Sequence, residues 1–330
     1  MKNIAVLGVG SLIGKELIEI LQQRDYPTAD SYFMSDADDS VETVVFKGRE
    51  FDVLHDYDTF LDNVDVLFCC LDKVGARAAI SKFEGKAAVI DCSRAFNFAG
   101  GVELVIPEVN PEILKTRSPV IANPGPLTIQ LLTVAFPLHN KHGLNRLHVT
   151  AFEAISDLGN DALAELSYEY EYLAVGGDAS KGEDSVFPCT IGSNLIPQVG
   201  DFMGNGDTEE EVMFTKEVKT ILKTDEVKIG MTAVWVPLRR GNSMTICAGF
   251  EDNISVNEAR KLLKKSPGIK VMERDEEYPM PENVIGKDDV FIGRIRQDSV
   301  FENGLAFWIT TDNLRKGSAL NAVQIAELLH

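Results

Sequence analysis

Asn3-Ile4-Ala5-Val6-Leu7-Gly8-Val9-Gly10-Ser11-Leu12-Ile13-Gly14 gives a short apolar run, a glycine-rich turn and the start of a helical pattern continued by Leu17, Ile18, Ile20 and Leu21. Strand, glycine turn and helix in that order make a dinucleotide-binding unit, in which backbone amides at the helix start face a pyrophosphate. Gly8, Gly10, Ser11, Leu12 and Ile13 are therefore the candidate cofactor-binding residues of the turn. Strand-like runs follow at 31–34, 64–70, 87–90, 104–106 and 120–122, with helical or loop segments between most of them. Such alternation predicts an α/β fold, a Rossmann-like doubly wound parallel sheet with helices on both faces. Ligands of these sheets sit beyond the carboxyl ends of the strands. Cys69-Cys70-Leu71-Asp72, Asp91-Cys92-Ser93-Arg94 and Asn123-Pro124-Gly125-Pro126 fall there and are expected to line a crevice.

After Thr128 the pattern changes. A long helix carrying Leu131, Leu132, Val134 and Ala135 leads to longer strands at 146–154, 231–237 and 243–250, the mark of a second, α+β domain. The glycine-rich stretch 175–182 reads as a surface loop, and 209–222 and 256–265 as amphipathic helices with solvated charged faces. The segment 318–329 sets Leu320, Val323, Ile325, Ala326, Leu328 and Leu329 at helical spacing.

The 330 residues, 45% hydrophobic and 25% charged, suffice for two domains with substantial cores. A formal net charge of -19 repels phosphate backbones and anionic lipid, which argues against nucleic-acid and membrane-surface partners. No apolar run reaches the roughly 20 residues of a membrane span. The N-terminal run is only Ile4-Ala5-Val6-Leu7, too short for a signal sequence, so a cytoplasmic location is expected. Cys69, Cys70, Cys92, Cys189 and Cys247 are odd in number and lack CxxC spacing, so reduced thiols are expected rather than disulfides or zinc. His55, His139, His142, His148 and His330 include no HExxH, and no metal site is expected.

Several ordered blocks accompany the opening turn: Val89-Ile90-Asp91, Val105-Ile106-Pro107-Glu108-Val109-Asn110, Phe187-Pro188, Asn194-Leu195-Ile196-Pro197 and Gly286-Lys287-Asp288. Val290-Phe291-Ile292-Gly293-Arg294-Ile295-Arg296, Asp312-Asn313-Leu314-Arg315-Lys316-Gly317 and Ala319-Leu320-Asn321-Ala322-Val323-Gln324-Ile325-Ala326 complete the series. On these blocks the chain resembles the aspartate-semialdehyde dehydrogenase family almost end to end. The resemblance implies a Rossmann-like domain over 1–127 and 313–330, with the last helix returning to it. It also implies an α+β dimerisation (substrate) domain over 128–312, and a homodimer. Relatives reduce aspartyl phosphate with a nicotinamide cofactor. A cysteine thiolate attacks the acyl phosphate, a histidine handles protons, hydride reduces the thioester, and arginines hold the substrate's carboxylate and phosphate.

At the corresponding positions those groups are replaced. Where the family carries Asn-Pro-Asn-Cys-Ser-Thr, this chain reads Asn123-Pro124-Gly125-Pro126-Leu127-Thr128, so Pro126 stands in the cysteine's place with no nucleophilic atom. The family histidine falls on Asn242, within Arg240-Gly241-Asn242-Ser243, and an amide has no usable pKa near neutrality. The substrate-carboxylate arginine falls on Trp235, the glutamine that orients the acyl intermediate on Glu153, a phosphate-binding arginine on Asn97, and a lysine on Met213 after Glu210. The resemblance places Arg94, Asn97, Asn123, Met213 and Arg240 in the substrate-type cleft, and Arg94 could stand in for the lost phosphate ligand. Six such changes together predict a noncatalytic homologue, similar to the Usg-type proteins, acting as a binding or regulatory dimer. A heteromer with an authentic dehydrogenase paralogue is a further expectation. The alternative is an oxidoreductase of the same family with an altered aldehyde or acyl phosphate substrate and NAD(P). It would need a thiolate from Cys92 or Cys70, its pKa lowered by a cation such as Arg94. Buried inert thiols are the plainer reading of both, as core packing is of Trp235 and Met213.

The family's phosphate turn is Gly-x-x-Gly-x-x-Gly, but Ser11 takes its middle position here. Ser35-Asp36-Ala37-Asp38-Asp39-Ser40-Val41-Glu42 brings four carboxylates to the end of the second strand, where NADP users place serine and arginine. Those charges oppose a 2′-phosphate and suit a bare ribose. Leu71-Asp72-Lys73-Val74-Gly75 replaces a smaller glycine-rich loop. The resemblance adds Asn321 to the cofactor contacts. The expectation is no resident cofactor, with NADP disfavoured and NAD permitted.

Overall fold

The computed structural model describes residues 1–35, 40–56, 62–83, 85–116, 118–177, 185–274 and 276–329. The chain divides into two compact units, Met1–Gly125 with Ser318–His330, and Pro126–Gly317.

In the first unit β1 (Lys2–Leu7) leads through the glycine turn into α1 (Leu12–Gln23) and β2 (Thr28–Met34). A hairpin, β3 (Thr43–Phe46) and β4 (Arg49–Asp52), precedes β5 (Val66–Cys69), α2 (Lys73–Phe83), β6 (Ala88–Asp91), β7 (Glu103–Leu104) and β8 (Val120–Ala122). Six strands form one parallel sheet in the order β2-β1-β5-β6-β8-β7. The apolar runs serve both faces because successive side chains point to opposite sides. Ile4, Val6, Val66, Phe68 and Ile90 pack with Leu17 and Leu21 of α1 and with Leu320, Val323 and Ile325. Ala5, Leu7, Leu67, Cys69 and Val89 pack instead with Ala76, Ala79, Ile80 and Phe83 of α2. The last helix, Leu320–Leu328, thus belongs to this unit, where Glu327 also pairs with Arg24 at 2.7 Å.

Two local features differ from the sequence expectations. The run 104–106 pairs only as Glu103–Leu104, because Asn110 takes over the main-chain bonding. Its Oδ1 accepts from the Ile106 amide at 2.9 Å and its Nδ2 donates to the Leu104 carbonyl at 2.8 Å. The β3–β4 hairpin was not expected from the sequence. It turns on Lys47 and Gly48, both at positive φ (49° and 74°), the backbone a two-residue hairpin requires. Its Phe46 and Phe51 flank Phe33 of β2 with ring centroids 5.4 and 5.2 Å away.

The second unit opens with α3 (Pro126–His142) and β9 (Leu144–Ala154), then α4 (Asn160–Ala174), α5 (Glu209–Leu222) and β10 (Lys228–Val236). It continues through β11 (Asn242–Phe250), α6 (Val256–Leu263), β12 (Ile269–Val271), α7 (Pro281–Val284), β13 (Val290–Gln297) and β14 (Gly304–Thr311). Its mixed sheet has the order β10-β9-β11-β14-β13-β12, with β9–β10 and β12–β13 parallel and the rest antiparallel. α3 is apolar nearly all round and lies buried against β9, β11, β13 and β14. Along β9, buried Leu147, Val149 and Ala151 alternate with exposed or half-buried Arg146, His148 and Thr150, as a sheet with one covered face requires. Of the glycine-rich loop expected over 175–182, residues 178–182 lie outside the described residues. Among the described residues no helix is long and apolar enough to cross a membrane.

Candidate functional site

The glycine turn is closely fitted. Gly8 has φ +91°, and a Cβ there would stand 2.7 Å from both the carbonyl carbon and oxygen of Cys70. A Cβ on Gly14 would stand 2.2 Å from the Gly8 oxygen. Ser11 fits this turn as the N-cap of α1, its hydroxyl donating to Gly8 O at 2.7 Å and accepting from the Gly14 amide at 3.0 Å. The Leu12 and Ile13 amides, which follow, meet no acceptor among the described residues. Two free first-turn amides suit a nucleotide's pyrophosphate, so the main chain here fits the group. Asn321 is fully buried, its Nδ2 donating to Val105 O at 2.9 Å and to Asn123 Oδ1 at 2.7 Å, which ties the last helix to the strand ends. Asp36, Ala37, Asp38 and Asp39 of the acidic stretch lie outside the described residues, and its Glu42 is exposed. Asp72 immediately precedes α2 and accepts from Gly75 N at 2.7 Å.

The loops after β5, β6 and β8 leave the same, carboxyl end of the parallel strands. After β6, Asp91 accepts from the Ser93 amide (2.8 Å), the Ser93 hydroxyl (2.5 Å) and the Phe96 amide (3.2 Å). Burial pushes its carboxyl up, while these hydrogen bonds oppose the shift. Arg94 follows at φ +65°. Its guanidinium lies so close over Gly125 that a Cβ there would stand 2.7 Å from Cζ, so the arginine fills the space a side chain at 125 would need. Asn97, three residues on from Arg94, is buried. Asn123 is also buried, donating from Nδ2 to Ser318 O at 3.1 Å and to Cys92 Sγ at 3.9 Å. The thiolate that an altered oxidoreductase would need is not favoured at Cys92. A hydrogen bond with the Cys70 thiol, then burial, hold the Cys92 thiol well above its ordinary range.

In the second unit Pro126 is the first residue of α3, where a fixed φ is favourable and a missing amide hydrogen costs no helical bond. Thr128, half a turn on, donates to buried Glu217 at 2.5 Å. Asn242 begins β11 completely buried, accepting from the Ala154 amide at 2.8 Å and donating to Asp157 Oδ2 at 2.6 Å. Asn313 donates to the other Asp157 oxygen at 2.6 Å and to Ser156 Oγ at 2.8 Å, and accepts from Gly241 N at 2.8 Å. Two asparagines thus hold one carboxylate and join the ends of β9, β11 and β14. Trp235 is a core residue of β10, packed with Ile155, Leu166, Phe187, Ile191 and Ile196. Its neighbours are those of a packed interior, not of an apolar pocket. Arg240 is spoken for by Asp312, Nε to Oδ1 at 2.7 Å. Glu153 is buried at the end of β9, and Met213 is half-buried in the first two turns of α5, beside buried Glu210 and Glu211. Asp157, Asn313 and Asp312 escaped the sequence reading as site residues, since no local pattern marks them as partners of the 240–242 loop. Among the described residues no group of three or more His, Cys, Asp and Glu side chains could hold a metal ion.

Residues 3–117 match the NAD binding domain of semialdehyde dehydrogenases, and residues 136–316 match their dimerisation domain. The chain is 35% identical to an aspartate-semialdehyde dehydrogenase of Aquifex aeolicus, over 99% of its own length and 97% of the relative's. The chain belongs to the aspartate-semialdehyde dehydrogenase family. The family enzyme of Bacillus subtilis is 32% identical, again over 99% of this chain and 97% of the relative. Among solved structures, the aspartate semialdehyde dehydrogenase II of Vibrio cholerae superposes with a TM-score of 0.94 at 30% identity, covering 100% of this chain and 98% of that one. The same enzyme complexed with ASA gives a TM-score of 0.94 at 29% identity. The first unit is therefore of the NAD(P)-binding Rossmann kind and the second of the dimer-forming kind.

Proposed function

We propose that this chain is a noncatalytic member of the aspartate-semialdehyde dehydrogenase family, of the Usg type, acting as a homodimeric binding or regulatory protein. The observation that carries the reading is Pro126 at the head of α3, where the resemblance sets the nucleophile. A pyrrolidine ring cannot form the thioester on which hydride reduction of an acyl phosphate depends. The base position supports the same reading, because Asn242 spends its amide on Ala154 and Asp157 and has no proton to exchange near neutrality. At the substrate-arginine position Trp235 offers an indole packed in the core. Glu153 sets an acid where relatives keep a neutral amide. Of the thiols that could serve an altered oxidoreductase, Cys92 is moved away from reactivity, held well above its ordinary range by its hydrogen bond with the Cys70 thiol and by burial.

On the cofactor, the free amides of Leu12 and Ile13 support binding of a pyrophosphate, while the acidic sequence from Asp36 to Glu42 opposes a 2′-phosphate. NAD is permitted and NADP disfavoured. The dimer is with a second copy of this chain, and exchange with an authentic paralogue is the heteromeric form of the same association. The test is an assay of the chain purified from a host lacking its own dehydrogenase, with aspartate semialdehyde, phosphate and either nucleotide. The expected result is no nucleotide reduction above the blank. Turnover at the rate of the family's enzymes overturns the reading.

A further inference from the structure

The ends of β5 and β6 carry a feature that the family's activity does not use. The two strands are parallel neighbours with Cys69 paired to Asp91, and the ladder runs one residue further, through a 2.9 Å bond from the Cys92 amide to the Cys69 carbonyl. Cys70 and Cys92 therefore stand side by side at the next position. Both side chains enter the same core cluster, on the face of the sheet that α1 covers, whereas Cys69 points into the opposite one. The two thiols share a hydrogen bond. Adjacent strands lie about 4.8 Å apart. That spacing is inside the Cα–Cα range of about 4.4–6.8 Å that a disulfide spans without backbone movement.

We propose that Cys70 and Cys92 form a reversible thiol–disulfide pair, a modification site that takes a small oxidant of the peroxide class. With hydrogen peroxide, one thiol gives up its proton and attacks a peroxide oxygen, becoming a sulfenic acid, while the departing hydroxide takes up that proton and leaves as water. The second sulfur then displaces the sulfenic oxygen as a second water, so two thiols and one peroxide yield one disulfide and two waters. A dithiol reductant reverses the change. The bond encloses the whole of α2 in a covalent loop, because that helix lies between the two residues. It also bears on the nucleotide turn, since Gly8 rests directly on the Cys70 carbonyl, and on Asn123, whose amide nitrogen faces the Cys92 sulfur. Burial keeps the pair slow and selective. Cys92 is 7% exposed and Cys70 4%, so a small oxidant reaches them before a protein thiol does, and the raised Cys92 pKa makes the reaction accelerate as the pH rises.

The experiment uses the full-length chain with Cys189→Ser and Cys247→Ser, which removes the exposed and the half-buried thiol and leaves three of the five cysteines. After treatment with hydrogen peroxide, thiols are titrated under denaturing conditions and the linked peptides mapped by mass spectrometry. Titratable thiols should fall from three to one, with a peptide joining Cys70 to Cys92, and dithiothreitol should restore all three. Adding Cys92→Ser or Cys70→Ser should abolish the link, and adding Cys69→Ser should leave it intact. The oxidised chain should unfold at a higher temperature than the reduced one, a difference missing from the Cys92→Ser variant. Retention of all three thiols, or a bond joining Cys69 to Cys70, overturns the proposal. Should a serine variant fail to fold, Cys92→Ala serves in its place.

Discussion

Pro126 and Asn242, which the proposed reading sets in the places of a nucleophile and a base, each have a structural use that predicts how they respond to change. Restoring the thiol alone should not restore chemistry. In Pro126→Cys the new sulfur would sit at the positive end of α3, where thiol pKa values fall, so iodoacetamide should label it. Without a proton-transfer group at 242, nucleotide reduction should stay at the blank, and any measurable turnover would show the base to be dispensable. Asn242→Ala removes an acceptor from a buried amide and a donor from Asp157, leaving that carboxylate with fewer partners. The expected cost is about 2–4 kcal/mol, seen as a lower urea midpoint with an unchanged slope. Asp91 makes a pH prediction. Burial raises its folded-state pKa above the unfolded value near 4, so the folded chain binds that proton more tightly. Its contribution to stability is therefore present at low pH and falls as pH rises through the folded value. Asp91→Asn removes that dependence, so the variant's stability relative to the parent should improve from about pH 4 up to the folded-state value of Asp91 and then level off. A difference that grows in the parent's favour over that window would refute the assignment.

Among the elements, the turn between β1 and α1 shows how a single atom sets the packing of a strand on a helix. Gly14→Ala should gain about 1 kcal/mol of helix propensity. Against this, the added methyl meets the Gly8 carbonyl at 2.2 Å, a backbone atom that cannot rotate aside. Overpacking of this kind costs about 1–3 kcal/mol or more, so a net loss of about 2 kcal/mol is expected on urea unfolding. Gly100→Ala, where a Cβ meets nothing within 4 Å, should be close to neutral in the same measurement. This turn was legible beforehand because apolar strand, glycines and helical spacing lie within a dozen residues. The helix over Glu209–Leu222 was legible from its amphipathic spacing, and at its start the Thr208 amide donates to Glu211 Oε2 at 2.7 Å. The β3–β4 hairpin was not, since its strands are only four residues long, β4 carries Arg49, Glu50 and Asp52, and its turn is Lys47-Gly48 rather than a strong turn pair. The candidate site divides likewise. That Pro126 lacks a nucleophile can be read from one letter, whereas the use made of Asn242 depends on Asp157, 85 residues away, and on Asn313, 156 residues from that aspartate. Contacts of that span are set by the register of β9, β11 and β14, which no local pattern encodes.

For the molecule as a whole, a mixed sheet of the dimer-forming kind and a net charge of -19 pull on different measurements. Sedimentation should give a species of twice the 36.3 kDa chain mass, and Pro126→Cys should leave it unchanged, because the substitution touches the head of α3 and none of the sheet strands. The charge acts on nucleotide binding. The amides of Leu12 and Ile13 can receive a pyrophosphate from either dinucleotide, so any discrimination comes from what meets the adenosine ribose. On the proposed reading, the acidic sequence from Asp36 to Glu42 would add local repulsion there to the net field, and both would act harder on NADP, which carries the extra phosphate. Salt separates this from ordinary affinity. Anion binding to a cationic site weakens as salt is added, whereas repulsion between like charges is screened beyond roughly 8–10 Å near physiological ionic strength. By calorimetry NADP should therefore bind more weakly than a Kd of about 1 mM at low salt, with any heat of binding growing rather than shrinking as salt rises. A micromolar NADP complex that salt disrupts would mean that the acidic stretch does not face the ribose phosphate, and the argument against NADP would fail.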